Sequence, residues 1–156
     1  MLAGKKISCG ECLAVNIAQK GIVDRKATAE GSLYLQKETI ERIREGRVQK
    51  GDVVSSARLA AIHAVKQTPL MLLYCHPIPI LGVEVTLQVN VENVHMVVSV
   101  QTKAQTGCEM EALAGVTNGL LMVWDMVKMY EKDPEGQYPS TALGDIRVVE
   151  KRKEEN

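Results

Sequence analysis

Apolar residues recur at three- and four-residue spacing through residues 106–128, TGCEMEALAGVTNGLLMVWDMVK. Met110, Leu113, Val116, Leu120, Val123 and Val127 fall on one side of a helix and predict a long buried face. Thr106 followed three residues later by Glu109 has the form of a capping box, so the helix is expected to begin there. Glu111, Asp125 and Lys128 interrupt this apolar stretch with charges that require pairing, exposure or a use. Asp125 and Lys128 share a neighbouring face. Glu111 and Asp125 point in nearly the same direction, but a rise of 1.5 Å per residue separates them by ~21 Å along the axis. A small ligand that used both would have to draw them from two chains.

Elsewhere the period is two. Ala27, Ala29, Gly31, Leu33 and Leu35 alternate with Thr28, Glu30, Ser32 and Tyr34, the pattern of a strand. Val83, Val85, Leu87 and Val89 alternate with Glu84, Thr86 and Gln88, and Glu92-Asn93 turns the chain into a second strand over 96–103, which makes a hairpin. A last strand is expected at 146–149. Residues 37–45 place Ile40 and Ile43 among charges and end near Gly46, a short amphipathic helix. Asp52 has the position of an N-cap for a helix to about Gln67, which Thr68-Pro69 is expected to stop. Its Ala57, Ala60, Ala61 and Ala64 permit close packing. Residues 70–79, LMLLYCHPIP, break both periodicities and read as a loop.

The order strand, two helices, two strands, helix, strand reduces to β-α-β-β-α-β with an additional helix. It predicts an α+β sandwich of the ferredoxin-like kind. Residues 1–14 are expected to form a poorly ordered segment, 15–151 a single domain and 152–156 a charged tail.

A chain of 156 residues with 46% hydrophobic content is long enough to bury one core without covalent staples. Lys plus Arg (19) balances Asp plus Glu (19), so no global field draws it to nucleic acid or an anionic membrane, and 3% aromatic content leaves few stacking platforms. Any polyanion site must therefore be a local cluster. The longest apolar run stops at Asp125, too short to span a bilayer, and the start lacks a signal-peptide hydrophobic region, so a cytoplasmic location is expected. Cys9 and Cys12 make one C-x-x-C with no second pair to complete a zinc site, and ordinary reduced thiols are the simpler reading. No metal ligand set is expected.

Several side chains suit chemistry. Lys50 precedes Gly51-Asp52 at a helix start, where free N–H groups and an ammonium can meet a phosphate; a solvated loop lysine fits the same residues. Lys20, Arg25, Lys26, Arg58 and Lys66 suit either a cationic patch or scattered surface charges. His76 lies in an apolar loop between Cys75 and Pro77, as a packed histidine or a catalytic one. Cys75 reads as an inert thiol. Glu109 is taken up by the capping box, which leaves Glu111, Asp125 and Lys128, the last two as a surface ion pair or as acid–base chemistry.

Taken together, KGDVVSSARLAAIHAVKQTP, YCHPIPI followed by VEVTLQV, TGCEMEALAG and WDMVK resemble the signature segments of the cyclic pyranopterin monophosphate synthase (MoaC) family of molybdenum cofactor biosynthesis. The likeness runs from about Val15 to Lys151. It implies a ferredoxin-like protomer in a homo-hexamer, a trimer of dimers, with sites at subunit interfaces. It also implies a lyase reaction, in which 3′,8-cyclo-7,8-dihydroguanosine 5′-triphosphate becomes cyclic pyranopterin monophosphate and pyrophosphate.

On this resemblance Asp125 is the general acid/base, Lys128 its partner and Lys50 the third catalytic residue. Tyr74, Cys75, His76, Met110 and Glu111 contact substrate, and Lys20, Arg25 and Lys66 surround the triphosphate. No cofactor is implied beyond Mg²⁺ accompanying the phosphates. Asn16, Tyr74, Cys108 and Ala114-Gly115 depart from the family's usual Asp, Leu, Val and Thr-Ala, and the ending lacks its Gly- and Lys-rich tail, which leaves Lys151 open. A non-catalytic nucleotide-binding oligomer on the same fold is the alternative.

Overall fold

Residues 14–154 are described by a computed structural model. Four strands and three helices follow one another as β1 (Val23–Tyr34), α1 (Lys37–Arg44), α2 (Val53–Met71), β2 (Gly82–Val89), β3 (Asn93–Ala104), α3 (Glu109–Glu131) and β4 (Ala142–Glu154). The strands form one sheet in the order β2-β3-β1-β4, with every neighbouring pair antiparallel. The fold is therefore α+β, an antiparallel sheet with helices.

The period-two pattern works as expected on β1, and β3 buries alternate residues in the same way. Ala27, Ala29 and Leu33 of β1 and Val94, Met96, Val98 and Val100 of β3 are fully or almost fully buried against Ala112, Val116, Leu120, Val123 and Val127 of α3. The buried side of α3 is rotated from the predicted one at its start. Met110 is exposed and Leu113 only half-buried, while Ala112, Gly115 and Gly119 are buried. The cause is α2, which packs closely beside α3 through its small residues. A Cβ at Gly119 would stand 2.5 Å from Met96 Sδ of β3 and 3.1 Å from Ala61 Cβ of α2, so a side chain there would force both neighbours to shift. Asn118 Nδ2 donates to the Ala60 carbonyl at 2.9 Å across the same contact.

Three expectations need correction. First, α2 runs through Thr68-Pro69 to Met71. Proline removes the N–H that would reach the Val65 carbonyl, and the Thr68 hydroxyl takes its place, donating to Val65 O at 3.2 Å and Ala64 O at 2.9 Å. Secondly, the capping box is not formed. Cys108 is the N-cap, without a side-chain cap bond, Thr106 lies outside the helix, and the Glu109 carboxylate pairs instead with Lys151 of β4. Asp52 does cap α2 as predicted, accepting from Ser55 N at 3.0 Å.

Thirdly, β4 is far longer than 146–149 and includes most of the charged stretch beyond residue 151. Its ladder to β1 is made by backbone groups whatever the side chains are. Arg147–Glu30 and Arg152–Glu150 pairs clothe an edge strand that has little apolar content. Register shifts between Thr28 and Ala29 and between Glu30 and Ser32 break its alternation. The expected disorder of the first residues, and the Cys9/Cys12 pair, lie outside the described residues apart from Ala14.

Candidate active site

The loop between α1 and α2 brings Lys50 to α3. Gly51, at φ +104, turns the chain sharply after it, and the Lys50 ammonium donates to Asp125 Oδ2 at 2.7 Å and to the Asp125 backbone carbonyl at 2.8 Å. Lys128, one turn further along α3, reaches Asp125 Oδ1 at 2.8 Å. One carboxylate thus lies between two ammonium groups. The hydrogen bond from Lys128, then that from Lys50, hold the Asp125 carboxyl down at about 2, and Asp125 in turn raises Lys128 above the usual lysine range. The Asp52 carboxylate caps the start of α2 and the Lys50 ammonium points away to Asp125, so Lys50 and those N–H groups do not converge within this chain.

The second group gathers at the other end of α3. Tyr74, Cys75 and His76 from the loop after α2, with Met110 and Glu111 from the first turn of α3, line one open cleft of about 230 Å³. The His76 loop is held to the sheet, where Thr102 Oγ1 donates to the Pro79 carbonyl at 2.6 Å. Glu111 is only 3% exposed, and burial raises its carboxyl above the usual range. Burial, then the Glu111 charge, raises the Cys75 thiol, and burial with Glu111 and Glu109 carries Cys108 up to about 11. Neither is a thiolate nucleophile at neutral pH. Burial works against ionised Glu109, but the hydrogen bond from Lys151, a backbone hydrogen bond and the charges of Lys151 and Arg25 together outweigh it and keep that carboxyl low.

The predicted cations divide between these ends. The Arg25 guanidinium donates to the carbonyls of Ala104 at 3.1 Å and Gln105 at 3.3 Å, close enough to the cleft to act on Glu109. Gln105 donates in turn to Ala18, in the exposed turn that ends at Lys20. Lys66 is exposed on α2. Within one chain Lys50 does not join Arg25, because the length of α3 lies between them. Among the described residues no group of three His, Cys, Asp or Glu side chains is placed to hold a metal ion.

The MoaC family profile matches residues 14–154, the whole of the described chain. The chain belongs to the MoaC family. Among its relatives, the probable cyclic pyranopterin monophosphate synthase of Pyrococcus abyssi is 50% identical over 139 residues, 89% of this chain and 87% of its own length. The protein of the same description from Methanosarcina mazei is 50% identical over 147 residues, 94% of each chain. That from Aeropyrum pernix is 52% identical over 139 residues, 89% of this chain and 95% of its own.

Two features of this MoaC family member were not readable from the motifs. Thr106, Gly107 and Glu109 also line the His76 cleft, and the only hint was a Glu that the absent capping box would have occupied. Tyr130, outside every quoted motif, accepts a hydrogen bond from Gln49 N, beside Lys50, at 3.0 Å.

Proposed function

We propose that this chain acts as a cyclic pyranopterin monophosphate synthase, a lyase of molybdenum cofactor biosynthesis that takes 3′,8-cyclo-7,8-dihydroguanosine 5′-triphosphate to cyclic pyranopterin monophosphate and pyrophosphate. Membership of the MoaC family and the names of its relatives support the reaction. The observation that carries the assignment of residues is the Asp125 carboxylate between Lys50 and Lys128. In this closed arrangement Asp125, near 2, is a weak base. Phosphate oxygens arriving from the substrate compete for the two ammonium groups, loosen their hold on Asp125 and bring its basicity nearer the working pH, where proton transfer is efficient.

Tyr74, Cys75, His76, Met110 and Glu111 then hold the ring system, while Lys20, Arg25 and Lys66 answer the triphosphate. The strand order supports a ferredoxin-like protomer: β1 and β2 both run antiparallel to β3, which lies between them, the split β-α-β arrangement. The separation of Glu111 from Asp125 along α3 supports a site completed by a second chain, in a homo-hexamer built as a trimer of dimers. Mg²⁺, where it takes part, rides on the substrate phosphates. None of the described helices is long and apolar enough to cross a membrane.

The test is incubation of purified protein with the cyclised guanosine triphosphate and assay of pyrophosphate. Binding of that nucleotide with no pyrophosphate released would favour the non-catalytic oligomer.

A further inference from the structure

Lys50 has a long, flexible stem, and where its ammonium can go depends on how firmly its backbone is held. The loop that carries it has three anchors. Val48 is buried in the core, 6% exposed. Gly51 N donates to Val48 O at 3.0 Å, closing a turn around Lys50. The third anchor reaches α3 directly, where the Gln49 N–H donates to the Tyr130 phenol oxygen at 3.0 Å. The Tyr130 ring is itself fixed, half-buried against the core with the Arg42 guanidinium 4.8 Å from its centroid. So α3 presents both the acceptor that the Lys50 ammonium meets, Asp125, and the acceptor that holds the peptide next to Lys50.

We propose that Tyr130 is a positioning residue for the proposed reaction: its phenol oxygen docks the Gln49 peptide on α3 and so holds Lys50 within hydrogen-bond distance of Asp125. The inference rests on the reading of Lys50 and Asp125 as catalytic groups, but its geometry does not. Without the phenol oxygen, Gln49 N–H turns to water and the loop between Val48 and Asp52 gains freedom. Lys50 then spends less time on Asp125, while Lys128, on the same helix as Asp125, keeps its place. Among the described residues the charged groups that face Asp125 are these two lysines, so a change at Lys50 is read directly on the aspartate.

Tyr130→Phe removes one oxygen and keeps the ring under Arg42, so the fold is preserved. The Asp125 carboxyl is titrated by carbon-13 NMR in the parent, in Tyr130→Phe and in Lys50→Met, and the first two are compared for single-turnover rate and substrate dissociation constant. Asp125 in Tyr130→Phe should titrate above the parent, towards Lys50→Met. Its turnover should fall roughly threefold to tenfold, the scale of one neutral hydrogen bond, with a smaller change in binding. An Asp125 titration identical to the parent's overturns the inference, whatever the rate does. A shifted titration in a protein that releases no pyrophosphate upholds the positioning and removes the proposed reaction instead.

Discussion

The Thr68 hydroxyl donates to the Val65 carbonyl at 3.2 Å, the oxygen that Pro69 leaves without its helical partner. Thr68 is fully buried, so no water replaces that bond. Thr68→Val keeps the shape and removes the donor, and should cost about 1–3 kcal/mol. Urea unfolding measures it. A midpoint equal to the parent's would show that the helix passes Pro69 without this bond.

Glu111 should make the protein less stable than it need be at neutral pH. Burial raises its carboxyl above 4.5. The folded state therefore favours the protonated form, an advantage complete below pH 4.5 and lost as pH rises through the folded value. Glu111→Gln mimics the neutral form and should melt above the parent at pH 8, with the gap closing below pH 4.5. The same variant should turn over poorly if the charge serves the substrate. Equal melting temperatures at pH 8 would refute the burial penalty.

For Asp125 the sign is opposite. Its carboxyl is lowered from 3.8 to about 2, so the ion pairs with Lys128 and Lys50 are at full strength above pH 3.8 and are lost as pH falls towards 2. Asp125→Asn should abolish this part of the acid sensitivity in melts between pH 2 and 5. Since Asn cannot carry the proton, its single-turnover rate should fall by roughly 10²–10⁴ with the substrate still bound. A variant near the parent rate would remove Asp125 from the mechanism.

Glu111→Ala and Asp125→Ala proteins, each inactive, should recover part of the activity when subunits are exchanged, because a mixed assembly contains sites that take the intact half from each chain. The ~21 Å between the two positions along α3 motivates this. Mixed oligomers that form and remain inactive would place the whole site within one chain.

Ligand affinity should fall steeply between low and high salt, since Lys20, Arg25, Lys50 and Lys66 are proposed to meet phosphate oxygens. Isothermal titration at two ionic strengths decides it, and affinity that ignores salt would exclude this set.

Sequence alone was enough for the elements and their class. Repeats of two and of three to four residues are local, and they marked β1, the β2–β3 hairpin and the core side of α3 at Val116, Leu120, Val123 and Val127, which the tertiary structure buries. Asp52 was legible as a cap because a cap needs only three neighbours along the chain. The motifs around Lys50, His76, Glu111 and Asp125 were likewise contiguous, which is why the family could be read from them.

What tertiary structure decided was everything set by partners distant in sequence. The choice between capping box and ion pair at Glu109 depended on Lys151, brought alongside by β4. The extent of β4 depended on the backbone of β1, since its own charged side chains carry no strand period. Spacing alone left Asp125 and Lys128 open as a surface pair or as acid–base chemistry, and only the fold, carrying Lys50 across 75 positions of sequence, made Asp125 a carboxylate held from both sides. A pattern of spacing reports which face a side chain occupies, whereas electrostatics depends on distances between faces, and those exist only after the chain has packed.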